Sequence, residues 1–199
     1  MPARDERPRR GAPAETRARL LAAAAETFEA VGYTGTDSNR IARAAGYAPG
    51  TFYKHFPDKR AIFLAVYDEW VAREWAEVGQ ALVEPGTARA RAERIVDLVL
   101  AHHRRWSTVR ASLRALVAVD EVAREAYRGS RRRQLAAMAR LGGPDPRRRE
   151  ADALLLFTVE RAADALADGE ARALGLRPAE VRARLVEMVA AHRATAPRA

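Results

Sequence analysis

At 199 residues the chain has room for one small and one medium helical domain. It is 48% hydrophobic but only 7% aromatic, so its cores must be built mainly from Ala, Leu and Val, a composition that favours helices over sheets. The absence of cysteine excludes a disulfide framework and any thiolate metal site, and the net charge of +9 favours an anionic partner such as nucleic acid, although arginines spread over solvated helix faces would give the same total.

Residues 1–12 read as a flexible basic tail, since Pro2, Pro8 and Gly11 interrupt alternating charge and no helical face forms. Arg4, Arg7, Arg9 and Arg10 there could follow phosphates or simply be solvated. The tail lacks an apolar stretch, so no secretory signal is expected, and no run of some 18 apolar residues marks a membrane span. A cytoplasmic protein is the expectation.

Pro13–Val31 predicts the first helix, with Leu20, Leu21, Ala24, Ala25, Phe28 and Val31 at spacings of three and four. Gly32 ends it, and Tyr33 is expected to pack back on the small core. Thr36–Ala45 reads as a second helix, N-capped by Asp37 and carrying Ile41, Ala42 and Ala45 on one face. Gly46 stands where a left-handed residue closes a helix, and Pro49 suits the first turn of the next. That third helix, Ala48–Phe56, points Phe52 and Phe56 inward together. Pro49, Gly50, Thr51, Tyr53, Lys54 and His55 are left largely on the opposite side. This is a short, basic and aromatic surface of the kind that meets phosphates and base edges.

Pro57 breaks the third helix and Asp58 caps a long fourth one reaching Val83, with Phe63, Val66, Tyr67, Trp70, Val71, Trp75 and Val78 as its stripe. Glu84-Pro85-Gly86 stops it. Thr87–Trp106 follows, with Ile95, Leu98, Val99, His102 and Trp106 on one face. Ser107 or Thr108 caps a shorter helix through Val117, and Asp120 caps another through Leu141. Gly142–Pro146 is a loop, Pro146–Asp168 a helix, Gly169–Arg177 a connection, and Pro178 starts a last helix with Val181, Leu185, Met188, Val189 and His192 in its stripe. Thr195–Ala199 should fray. The expectation is an all-α fold of about nine helices. Its domains are a tail over 1–12, a helix-turn-helix domain over 13–57, and a ligand-binding and dimerisation domain over 58–199.

The pieces Gly32-Tyr33, Thr36, Ile41-Ala42, Ala45-Gly46 and above all the run from Gly50 to Lys59, GTFYKHFPDK, resemble the tetracycline-repressor-like (TetR) family of bacterial regulators. The resemblance extends from about Thr16 to Leu64, roughly a quarter of the chain. It implies a sequence-specific DNA-binding transcriptional regulator, a repressor released from a palindromic operator by a small, mostly apolar effector. It also implies a homodimer through Pro146–Asp168 and Pro178–Ala194. On the same resemblance Tyr53, His55, Lys59 and Ser38 bind phosphate oxygens, which set register without carrying sequence information. Asn39, Pro49, Gly50, Thr51 and Lys54 are the candidates for reading bases: Lys54 toward guanine, Asn39 toward adenine, Thr51 toward a thymine methyl. Asp37 stands where the family often has Ser or Thr, so it is expected to cap rather than to contact DNA.

In the second domain Trp70, His102, Trp106, Tyr127, Gln134, Met138 and Phe157 are the larger side chains with inward positions. Either they line an apolar effector cavity or they form an ordinary core. His102 and His103 project about 100° apart on a helix and cannot easily share a metal. No metal motif, P-loop, nucleophile elbow or dinucleotide fingerprint is present, so neither enzymatic activity nor a cofactor is expected. The competing readings are a helical enzyme or carrier with incidental basic charge, and an architectural DNA binder without sequence preference.

Overall fold

A computed structural model describes residues 12–142 and 148–194. The basic tail before Ala12, the Gly142–Pro146 loop beyond Gly142 and the last five residues lie outside the described residues. Ten helices and no strand are found among those described: α1 (Pro13–Val31), α2 (Ser38–Ala44), α3 (Pro49–Tyr53), α4 (Lys59–Val83), α5 (Ala88–Arg105), α6 (Ser107–Val119), α7 (Glu121–Gly142), α8 (Arg149–Ala167), α9 (Glu170–Ala173) and α10 (Pro178–Ala194). The one element not expected is α9. A single helical turn is too short to show periodicity in sequence.

Local chemistry accounts for the boundaries. Asp37 Oδ1 accepts from the Arg40 N–H at 2.8 Å, Asp58 Oδ1 from Ala61 at 2.7 Å, Thr87 Oγ1 from Ala90 at 3.1 Å, and Asp120 Oδ1 from Ala123 at 2.8 Å. Each satisfies a donor that the first helical turn leaves free. At the end of α2, Gly46 takes φ 79°, the Tyr47 N–H donates to the Ala42 carbonyl and the Gly46 N–H to that of Arg43. This closure needs a left-handed residue, which glycine adopts without strain.

The described residues form two compact units divided between Val66 and Tyr67, and the division falls inside α4, whereas the break in the sequence pattern lies at Pro57. In the first unit Leu20, Leu21, Ala24 and Phe28 of α1 are buried together with Ile41 and Ala42 of α2, Phe52 and Phe56, and Ile62 and Phe63 at the start of α4. Phe63 packs edge-on against Phe28 and Tyr33, both at 5.0 Å between ring centres, so Tyr33 does fold back on this core.

The second unit has its main core between the later part of α4 and helices α5, α8 and α10. The buried face of α5 keeps the expected Ile95 and Val99 and adds Val96, Leu100 and His103, while the expected Leu98 and His102 are half-buried. Apolar residues stand in both sets, and packing against α10 and α8 selects one. Leu185 belongs to this core at 4% exposure. It is therefore not a residue that faces a partner, and a Leu185→Glu change would report on folding rather than on association.

Candidate nucleic-acid interface and effector cavity

Helices α2 and α3 are held at a tight turn by Gly46 and by the inward anchors Ile41, Ala42 and Phe52, each fully buried. With Phe52 and Phe56 turned in, the short α3 must present its other side. Tyr53 is 54% exposed, and Gly50 and Lys54 are exposed, while Pro49, Thr51 and His55 are half-buried. Asn39 is exposed on α2, but Ser38 beside it is buried. A methyl group built on Gly50 would meet nothing within 4 Å, and Gly50 is not among the positive-φ glycines. The fold itself therefore does not require glycine there, and the bare backbone leaves room for something outside the chain.

Asp37 does what the sequence suggests, capping α2, and the Arg40 N–H pulls its carboxyl below the ordinary value. Lys59 is more occupied than the sequence implies. Its Nζ donates to the Tyr33 and Thr36 carbonyls, both at 2.8 Å, and lies 4.2 Å from the centre of the Tyr33 ring. An ammonium has three donors, so one remains for a phosphate. Lys59→Ala is accordingly expected to lower the melting temperature of the protein as well as its affinity for every duplex; thermal unfolding with no change would remove the structural role. Arg43, exposed on α2, is a cation that the expected set does not contain, and its signal was the basic residue in the last turn.

The second unit separates the expected effector residues into three places. Trp70 is 1% exposed and Trp106 4%; they stack at 5.9 Å and 27°, with the Arg110 guanidinium 5.3 Å from the Trp70 ring. The Trp70 Nε1–H donates to His102 Nδ1 at 3.1 Å. Since an indole nitrogen only donates, His102 must carry its proton on Nε2, which faces Glu77 Oε2 at 3.0 Å. Trp70, His102 and Trp106 thus form a packed, hydrogen-bonded cluster rather than a cavity wall. Tyr127 and Phe157 line a cavity of about 310 Å³, shared with the charged Arg110, Arg114, Arg131 and Asp164. Met138 lines a different, apolar cavity of about 80 Å³ whose walls come from α4, α5, α7, α8 and α10. Gln134 is 2% exposed and accepts from Arg131 at 2.9 Å.

Between these cavities lies a charge network. Asp164 accepts from His103 Nδ1 at 2.9 Å, from Arg110 at 2.6 and 3.1 Å, and from Arg114 at 2.8 Å. Burial opposes ionisation of Asp164, but the His103 and Arg110 bonds outweigh it and hold the carboxyl far below the ordinary range. Burial pushes His103 down, against the pull of Asp164. Glu160 pairs with Arg131. Glu74 is the exception: 7% exposed, it stands in the apolar stripe of α4 between Trp70 and Val78 and lines the 80 Å³ cavity. The sequence signal for it was a lone acid in register with that stripe. Among the described residues no group of three or more His, Cys, Asp or Glu is placed to hold a metal ion, and no helix is long and apolar enough to cross a membrane.

A capped helix, a glycine turn and a short second helix with an exposed basic and aromatic face define a helix-turn-helix DNA-binding protein. Residues 20–66 match the bacterial regulatory proteins of the tetR family. Over those residues the chain is similar to the DNA-binding domain of TetR-family transcriptional regulators. No curated protein matches the chain. Among solved structures it is similar to a TetR-family transcriptional regulator from Rhodococcus sp., with 20% identity, TM-score 0.70, and 90% of this chain and 99% of that one covered. It is also similar to a transcriptional regulator from Saccharomonospora viridis in complex with choline, with 21% identity, TM-score 0.68, and 88% and 96% covered. A third is the transcriptional regulator FadR from Bacillus subtilis in complex with stearoyl-CoA, with 16% identity, TM-score 0.63, and 88% and 98% covered.

Proposed function

We propose that the protein is a cytoplasmic homodimeric repressor that reads a palindromic operator and leaves it when a small molecule enters the second unit. The observation carrying the DNA reading is the exposed face of α3, with Tyr53 and Lys54 projecting beside an uncrowded Gly50. Tyr53, His55 and the spare donor of Lys59 are assigned to phosphates, with Ser38 joining only if the α2 N-terminus rearranges on the duplex. Asn39, Pro49, Gly50, Thr51 and Lys54 are assigned to base edges, the small residues by allowing close approach.

Selection of bound sequences from a random duplex pool tests this reading. The expected product is a palindrome whose half-sites lie about 34–36 Å apart, or a multiple, so that two copies of α3 enter major grooves on one face. Lys54→Ala is expected to cost roughly 1–3 kcal/mol at one base pair and to relax preference there. Competition by random duplex as effective as by the selected sequence would indicate phosphate contacts alone.

For the dimer, the support is apolar surface left uncovered at the end of the chain. Leu154 and Phe157 of α8 and Leu174 and Leu176 after α9 are all more than half exposed. Phe157, Leu174, Leu176 and Val181 line one open groove of about 560 Å³. A contiguous apolar patch of this kind marks an interaction surface. Phe157→Glu is expected to shift sedimentation from about twice the 21.9 kDa chain mass toward the chain mass itself. A wild-type protein sedimenting as a monomer would exclude the dimer.

For release, α4 supplies Glu74, Trp75 and Val78 to the apolar cavity and begins at Lys59 in the first unit. An effector that prefers a different setting of α4 would oppose operator binding, by no more than its difference in affinity for the two settings. The solved structures of this fold hold ligands as unlike as choline and stearoyl-CoA, so effector chemistry has to be sought in this chain's own residues.

A further inference from the structure

We infer that the apolar cavity of the second unit takes a small hydrophobic molecule bearing one ammonium group, seated on the Glu74 carboxyl. The inference rests on the reading that this unit binds a small-molecule effector. Among the described residues, the Glu74 carboxyl receives no hydrogen bond; the nearest charged or titratable contact is His103 Nε2 at 3.9 Å, beyond bonding distance. His103 donates its Nδ1 proton in a bond to Asp164, which leaves Nε2 an acceptor without a hydrogen-bond partner, 3.9 Å from the Glu74 carboxyl. A buried polar group without a partner is costly, and a carboxyl so placed in a cavity wall is a candidate for function.

The groups around Glu74 are accounted for on every side. From α8, Glu160 lines the same cavity and repels a charge on Glu74; Glu77 on α4 repels it more weakly. Arg110 of α6 and Arg131 of α7 attract it, but they are bonded to Asp164 and Glu160. Burial first, then Glu160, push the Glu74 carboxyl up to about 8, so near neutral pH it holds its proton.

No cationic side chain lines the cavity, whose remaining wall is Trp75, Met138 and aliphatic residues. An anionic guest would face two acids. A purely apolar guest would leave Glu74 without a partner. An ammonium would bond Glu74, gain from the Glu160 charge, and lie beside Trp75, an indole being a favourable neighbour for a cation. The volume of about 80 Å³ is near three times the liquid share of one water molecule, which suits a head group and a short chain. Met138 can repack to admit a ring.

Isothermal titration of the full chain tests this, with benzylammonium and butylammonium compared with benzyl alcohol, 1-butanol, benzoate and butyrate. The ammonium compounds are expected to bind roughly tenfold or more tighter than the alcohols, since a hydrogen bond to a charged partner is worth about 1.5–3 kcal/mol. Titration near neutral pH in buffers of different ionisation enthalpy should show close to one proton released, because the cation ionises Glu74. Glu74→Gln should abolish both the preference and the proton release. Alcohols binding as well as ammoniums, no proton release, or a preference that survives Glu74→Gln would each overturn the inference. The proton count is read on wild-type protein, so it stands even if the variant folds poorly. Operator binding measured in the same series separates the two readings. Glu74-dependent benzylammonium binding that leaves the operator complex intact would uphold the site and defeat the release mechanism. Release by another compound, unaffected by Glu74→Gln, would do the reverse.

Discussion

Asp164→Asn is expected to destabilise the second unit by roughly 3 kcal/mol, because it removes the carboxylate from a buried pair and leaves Arg110 charged without compensation. Arg110 is 9% exposed and makes two bonds to Asp164, while its other acidic neighbour, Glu160, stands 3.9 Å away and is engaged by Arg131. Chemical denaturation measures the loss. Replacing both partners, Arg110→Met with Asp164→Leu, should recover only part of it, since the apolar pair carries no desolvation penalty but the buried His103 Nδ1–H loses its acceptor. A single mutant as stable as wild type would show that Asp164 is not the hub.

The pH dependence follows the same residues. Asp164 titrates lower in the fold than in the unfolded chain, so its contribution is complete above the ordinary carboxylate range and is lost as pH falls through that range and below. His103 is also depressed, so the unfolded chain takes up a proton there first, and stability begins to fall once pH drops below the ordinary histidine value. Glu74 acts in the opposite sense. Its carboxyl is raised, so the fold is favoured at low pH and loses that margin as pH rises toward about 8.

Gly50→Ala should separate folding from DNA recognition. In α3 the substitution is expected to leave stability unchanged or raise it by about 0.5–1 kcal/mol, because Ala gives up less conformational freedom on entering a helix and its methyl meets no atom within 4 Å. Operator affinity should fall roughly tenfold, the equivalent of about 1.4 kcal/mol, as the methyl intrudes on the gap between helix and groove. Thermal unfolding and a binding titration on the same preparation read the two effects. An unaltered operator affinity would mean that α3 does not approach the duplex at this residue.

Much of the architecture is a local matter and could be read from residues near each other in the chain. The caps Asp37, Asp58, Thr87 and Asp120 act within three residues of themselves, Gly46 closes α2 through its own backbone, and Pro13 and Pro178 start helices by their fixed φ. Hence α1 and α10 begin and end where the pattern places them, and the outward face of α3 follows from Phe52 and Phe56 turning in. What needed tertiary structure is what depends on partners distant in sequence. His103 rather than His102 is the buried histidine because α8 brings Asp164 to it across 61 positions. Lys59 is drawn to carbonyls 26 and 23 positions away, and Leu185 is core because α5 and α8 cover it. Trp70, His102 and Trp106 look like cavity lining until they are seen to satisfy one another. Glu74 looks like an ordinary acid until the helices around it are seen to bury it. A helix with apolar residues on more than one side can bury any of them, and only the packing of its neighbours decides which.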